Sequence, residues 1–189
     1  MDLKNYIKVY DIIEKEDLKK IFEEINLFDF WYNHAWYTYD QKKVKGKKDF
    51  KCIYSNDIMY SNSYLFQKMN EYIFIAMQKY MDDIEDVKVD KTSFFRLNKF
   101  ETGSSMKCHW DAISDIFDGT SKGVPIFTIS GVLNDNFCGG DLVFDIGGEK
   151  YTQKLIPGQI LCFPSSFPWR HYVDKVTSGE RYSFVCWAF

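Results

Sequence analysis

Only three histidines occur in this 189-residue chain, His34, His109 and His171, and one of them opens the tripeptide His109-Trp110-Asp111. The surrounding residues read as extended chain. There, residues i and i+2 project to one face, so an imidazole and a carboxylate can share a cation while Trp110 points away. A lone H-x-D is as often a surface histidine beside an acid as a metal site, and it needs context. That context lies downstream. His171 follows an apolar run and a turn, and Arg181 comes ten residues later. Two imidazoles and one carboxylate make a mixed N/O donor set that leaves adjacent positions of an octahedral ion open, an arrangement suited to non-haem Fe(II). Arg181, with the Ser183 hydroxyl on the same side of a strand, offers a planar fork for a ligand carboxylate that a lysine could not reproduce.

These residues need a scaffold, and the pattern of the chain changes near residue 90. Upstream, residues 17–27 place Leu18, Ile21, Phe22 and Ile25 at helical spacing, and residues 62–84 read as a longer helix with a broad apolar face. Downstream the period falls to two. Residues 92–100, 124–133, 141–146, 159–163 and 181–189 are β-branched or aromatic runs separated by Gly139-Gly140, Gly147-Gly148 and Pro157-Gly158. Short strands at regular spacing predict an antiparallel sandwich or barrel. The expectation is one α+β domain, with helical support over residues 1–90 and a β-core over residues 91–189.

Composition narrows the function classes. Hydrophobic residues make up 46% and aromatics 19%, with 17 Phe and 13 Tyr, enough for a sizeable sheet-rich core. A formal net charge of −3 predicts neither nucleic acid nor an anionic membrane as partner. Five scattered cysteines without a CxxC pair fit neither a disulfide framework nor a zinc site, and they predict a reducing compartment. The first residues mix acids with apolar residues and show no signal-peptide pattern, and no apolar run reaches membrane-spanning length. The expected location is the cytoplasm.

One family accounts for the order of these features. Phe100-Glu101-Thr102-Gly103, His109-Trp110-Asp111, Leu133-Asn134, Gly139-Gly140-Asp141-Leu142-Val143-Phe144 and Pro157-Gly158 through Phe163 lead to His171, Val173, Val176, Gly179, Arg181 and Trp187. Residues 98–189 thereby resemble the catalytic core of the prolyl 4-hydroxylase-like family of 2-oxoglutarate oxygenases. The resemblance implies a double-stranded β-helix (jelly-roll) core with N-terminal helices. It implies Fe(II) at His109, Asp111 and His171, 2-oxoglutarate held by Arg181, O2 as co-substrate and ascorbate as a stimulant. It also implies hydroxylation of a prolyl residue in a peptide or protein. A free amino acid or other small metabolite is the alternative substrate, and a non-enzymatic cupin-type metal barrel the alternative function. The carboxylate anchor Arg181 counts against the barrel, since a simple metal binder has no use for it.

The resemblance has departures. Family members often carry tyrosines where Phe100 and Val132 stand, so Thr128 and Ser183 are the candidate hydroxyls beside the co-substrate. Trp187 is expected to line the iron pocket or to pack beside it. His34 lacks ligand spacing to the other histidines and reads as a packing or surface residue. Cys108 should turn away from the metal into the core, and Asp115 and Asp118 read as loop solvation. Residues 36–49, aromatic and then lysine-rich around Gly46, are read as a candidate lid or an ordinary exposed loop.

Overall fold

The computed structural model describes residues 2–34, 36–37, 43–44, 50–58, 63–111 and 124–189. Its elements run β1 (Lys8–Asp11), α1 (Lys15–Ile25), β2 (Tyr32–Asn33), β3 (Trp36–Tyr37), β4 (Lys43–Val44), β5 (Lys51–Tyr54) and α2 (Tyr64–Asp83). They continue with β6 (Arg96–Phe100), β7 (Met106–His109), β8 (Phe127–Val132), β9 (Phe137–Gly139), β10 (Leu142–Ile146), β11 (Glu149–Gln153), β12 (Gln159–Pro164), β13 (Arg170–Val173), β14 (Val176–Gly179) and β15 (Arg181–Ala188).

Both helices form where the 3.6-residue period predicts them. In α1, Glu16 and Asp17 occupy the first turn, where the helix dipole favours acids, and Ile21 and Ile25 are buried. In α2, the Ser63 hydroxyl accepts from Phe66 N at 3.1 Å as N-cap, and a face from Leu65 to Tyr80 is buried. Tyr72 donates to Asp17 at 2.6 Å, which ties the two helices together without leaving a buried carboxylate unsatisfied.

The strands form a seven-stranded antiparallel sheet in the order β1-β12-β8-β15-β6-β5-β2 and a four-stranded sheet in the order β11-β10-β13-β7. Alternation along the central strands decides what each face meets. Leu97, Ile129, Ile160, Cys162, Phe184 and Cys186 join the helices in one apolar cluster, with Tyr80 against Phe127 at 4.5 Å. Their neighbours Phe100, Leu161 and Phe163 turn the other way and pack with Leu142, Phe144 and Val173 of the four-stranded sheet. This arrangement is the expected double-stranded β-helix.

The N-terminal half is more than helical support. It supplies β1, which pairs with β12, and β5, which pairs with β6, so both flanks of the large sheet come from residues before 60. Strands of two to four residues are too short to show a period of two. For the same reason β9, β13 and β14 extend the expected set, while β11, five residues with no buried side chain, shows no apolar face and is set by its pairing with β10. The first run shortens to Arg96–Phe100, with Thr92 making only an isolated bridge to Ala188. Within residues 36–49 only β3 and β4 are described, paired as a two-stranded ribbon. The rest of the candidate lid, like Asp115 and Asp118, lies outside the described residues. All five cysteines are free, and Cys108 is half-buried rather than a core residue, because its strand lies at the margin of the smaller sheet. No described helix is long and apolar enough to cross a membrane.

Candidate active site

His109 ends β7 and His171 lies on β13, directly across the ladder from it. Their rings sit 4.4 Å apart. The chain leaves β7 through the exposed Trp110, and Asp111 turns back under the histidines, its N–H donating to the Ser165 carbonyl at 3.1 Å. Asp111 Oδ1 lies 3.3 Å from His109 Nε2, and Oδ2 lies 3.7 Å from His171 Nε2. The three side chains have ligand atoms within 4.8 Å of one another, and they form the single candidate metal cluster among the described residues. Cis ligands at ~2.1 Å from a common ion stand ~3 Å apart, so small adjustments suffice to close on a cation.

The ring orientations fit the same role. His109 Nδ1 is 2.7 Å from the Lys107 carbonyl, and His171 Nδ1 is 3.1 Å from the Trp169 carbonyl. A carbonyl only accepts, so each Nδ1 carries the proton and each Nε2 directs a lone pair at the cluster. Thr128 donates to Asp111 Oδ2 at 2.7 Å and also contacts the Ser165 hydroxyl at 2.8 Å. Burial alone would raise the Asp111 pKa, but the charges of His171 and His109 and the Thr128 hydrogen bond hold it well below the usual carboxylate range. Burial, with the neighbouring His109 charge, pushes His171 down to about 4, so its imidazole is neutral near pH 7.

Arg181 opens β15 and points into the same cavity. It is 4% exposed, its Nη1 donates to Ser183 Oγ at 2.7 Å, and its guanidinium lies 5.3 Å from the centre of the Phe100 ring. Among the described residues no carboxylate pairs with it, and its buried Nε–H has no acceptor. Desolvation pushes its pKa down to about 10, opposed by Asp141. A buried, charged fork with an idle donor is built to receive an anion.

The two halves of the site are placed by the backbone. Asn134 brackets Arg181, donating to the Glu180 carbonyl at 2.7 Å and accepting from Tyr182 N at 2.7 Å. Gly140 has φ +68°, and a Cβ there would stand 2.9 Å from Arg181 Cδ, so only glycine lets the arginine stem pass. Thr128, Ser183 and Trp187 line the cavity with the triad and Arg181. His34 does not line it; it is buried and stacked 4.3 Å from the Phe50 ring. Arg96, Asn98 and Ser165 were not singled out from the sequence, although Arg96 and Asn98 share the cavity-facing alternation of Phe100 on β6.

Comparison with known proteins agrees with this geometry. A profile of the 2OG-Fe(II) oxygenase superfamily matches residues 95–189. A PKHD-type hydroxylase of Prochlorococcus marinus (strain MIT 9301) is 33% identical over 87 residues, 46% of this chain and 38% of that protein. The chain thus spans well under half the length of this curated relative. Among solved structures, the prolyl hydroxylase of Trichoplax adhaerens in complex with a hypoxia inducible factor peptide fragment superposes with a TM-score of 0.78 at 14% identity, covering 98% of this chain and 84% of that one. A Pseudomonas putida prolyl-4-hydroxylase superposes with a TM-score of 0.71 at 12% identity, covering 97% and 92%. At these identities the structures establish the shared fold.

Proposed function

Because the chain belongs to the 2OG-Fe(II) oxygenase superfamily, we propose that it is an Fe(II)- and 2-oxoglutarate-dependent hydroxylase acting on a prolyl residue of a peptide or protein. The observation that carries the co-substrate assignment is Arg181, buried without an acid partner in one cavity with the His109, Asp111 and His171 cluster. The prolyl assignment rests on fold neighbours that are themselves prolyl hydroxylases, one of them bound to a peptide.

His109 Nε2, Asp111 and His171 Nε2 would hold Fe(II), which supplies O2 activation coupled to decarboxylation of 2-oxoglutarate to succinate and CO2. The protein's own part is positioning. Thr128 keeps Asp111 turned toward the two imidazoles, and the Lys107 and Trp169 carbonyls keep both rings in the ligating tautomer. Arg181, aimed by Ser183, pairs the distal carboxylate of the co-substrate. Phe163, Leu142, Val185 and Trp187 supply apolar wall between the polar groups of the cavity. Ascorbate would act as a stimulatory reductant.

The decisive experiment incubates the Fe(II)-loaded protein with 2-oxoglutarate and a panel of prolyl peptides. It follows O2 and succinate and looks for a product heavier by one oxygen atom. Succinate formation matched mole for mole by hydroxyproline supports the proposal. Oxygen insertion only into free amino acids or other metabolites favours the small-molecule reading. Metal binding without any 2-oxoglutarate turnover would leave the cupin-type barrel.

A further inference from the structure

The cavity holds a second buried arginine. Arg96, at the start of β6, is 8% exposed and lines the cavity with Arg181 and the metal cluster. Its Nε donates to Asn98 Oδ1 at 2.8 Å, which leaves the Nη–H groups of the fork for other partners. The group lies 5.4 Å from the ring centres of both Phe50 and Trp187. Two aromatic faces hold its plane, as in sites where arginine recognises a planar anion. No ion pair to Arg96 occurs among the described residues. Beside it, the buried Trp187 Nε1–H has no acceptor among the described residues. A buried N–H left unanswered beside a buried cation without a counter-charge is costly unless something outside the chain meets both.

Arg96 is placed apart from Arg181. On the β6–β15 ladder Arg181 pairs with Phe100, whereas Arg96 pairs with Val185, four residues further on, or ~13 Å along the strand. Trp187 is in register with Thr128, which holds Asp111, so the Arg96 head group lies toward the metal end of the cavity. Charge points the same way. Arg96, Arg181 and a divalent cation held by neutral imidazoles, set against Asp111, leave three positive charges in the cavity. A dianionic co-substrate neutralises two of them, and one is left over.

We propose that Arg96, with the Trp187 N–H, is a substrate-binding site for a carboxylate, so that the molecule hydroxylated by this protein is itself an acid at that end. This rests on the 2-oxoglutarate oxygenase reading above and deepens it. The carboxylate has two sources. It is the α-carboxylate of a free amino acid or C-terminal residue, or the side chain of an aspartate or glutamate next to the oxidised residue.

Calorimetric titration of the Mn(II)- and 2-oxoglutarate-loaded protein tests this without turnover. One arm compares free L-amino acids, L-proline among them, with their amides. The other compares prolyl peptides bearing Asp or Glu beside the proline with their Asn and Gln counterparts. In the arm that holds the true source, the acid should bind on the order of 30-fold or more tightly than its neutral twin, the usual size for a buried charge pair. Arg96→Gln should abolish that preference while the affinity for 2-oxoglutarate stays within about twofold. Arg96→Lys should recover part of it, since a point charge replaces the fork. Thermal midpoints of both variants report whether they fold.

Three results would overturn the proposal. The parent protein shows no preference for acids, or binds no member of either arm. A folded Arg96→Gln keeps the preference. Or Arg96→Gln weakens 2-oxoglutarate as much as loss of Arg181 does, which would make Arg96 part of the co-substrate site. Failure of the Mn(II) protein to bind 2-oxoglutarate at all, measured first in the same calorimeter, would instead sink the oxygenase reading.

Discussion

Replacing Arg181 by methionine should make the ligand-free protein more stable while removing its response to 2-oxoglutarate. Methionine has a similar reach and no charge. In the structure Arg181 is 4% exposed and has no carboxylate partner among the described residues, and desolvation pushes its pKa down from 12.5 to about 10. The cation is therefore disfavoured in the fold at every pH below that range, by about 3 kcal/mol at 1.36 kcal/mol per pKa unit. Against this stand the hydrogen bond to Ser183 and the contact with the Phe100 ring, each about 1 kcal/mol. The net gain for Arg181→Met is about 1 kcal/mol, raising the thermal midpoint by about 2–4 °C in a domain of this size. Co-substrate at a hundred times its Kd adds about 2.7 kcal/mol to the parent and nothing to the variant. Scanning calorimetry of Mn(II)-loaded samples should thus show the order of stabilities reverse when 2-oxoglutarate is added. A variant less stable than the parent without 2-oxoglutarate, yet still stabilised by it, would refute the argument, because Arg181 would then be a structural cation and not an anchor.

Three further outcomes follow from other contacts. Thr128→Val removes the hydroxyl that orients Asp111 at 2.7 Å, so metal affinity should fall about 10- to 100-fold, with Thr128→Ser restoring most of it; unchanged Mn(II) titrations would exclude that role. Gly140→Ala places a Cβ 2.9 Å from Arg181 Cδ at φ +68°, and it should raise the KM for 2-oxoglutarate more than it lowers kcat; a selective loss of kcat would contradict it. His34 is pushed down to about 3 by burial first and then by the charges of Arg96 and His109. The unfolded chain therefore binds more protons than the fold between about pH 6.5 and 3, and stability is lost as pH falls through that window. At pH 5 His34 should cost the metal-free protein about 2 kcal/mol relative to pH 8, and denaturant titrations of His34→Gln should lack that part of the slope.

Much of the site was legible in the order of residues because the chemistry of its members is local. His109 and Asp111 stand two residues apart and do meet, although β7 ends at His109 and a turn rather than strand alternation brings Asp111 back. A two-histidine, one-carboxylate set announces a metal wherever it folds together. Arg181 and Ser183 share a face of β15 by i, i+2 alternation, as their spacing predicts, and the structure adds the hydrogen bond between them. Both helices were visible because eleven and twenty residues are enough to establish a 3.6-residue period. The N-terminal strands were not, since β1, β2 and β5 are four residues or fewer and take their identity from the edges they cover.

What only the tertiary structure decided is which groups meet and which are left without partners. Nothing in the chain near Asn134 says that it clamps both sides of Arg181, forty-six to forty-eight residues away in its bonds. Thr128 became the support of Asp111 through the β8–β12 register, which also brings Ser165 to its hydroxyl. Arg96 is an ordinary arginine in sequence. It becomes a buried cation in the cavity only because β6 pairs with β15 in one register and not its neighbour, since a slip of one residue would turn it to the other face of the sheet. Donor types and short spacings belong to the chain, but burial, register and the absence of a counter-charge are properties of elements brought together. They carry the electrostatic energy that a site spends on its ligands.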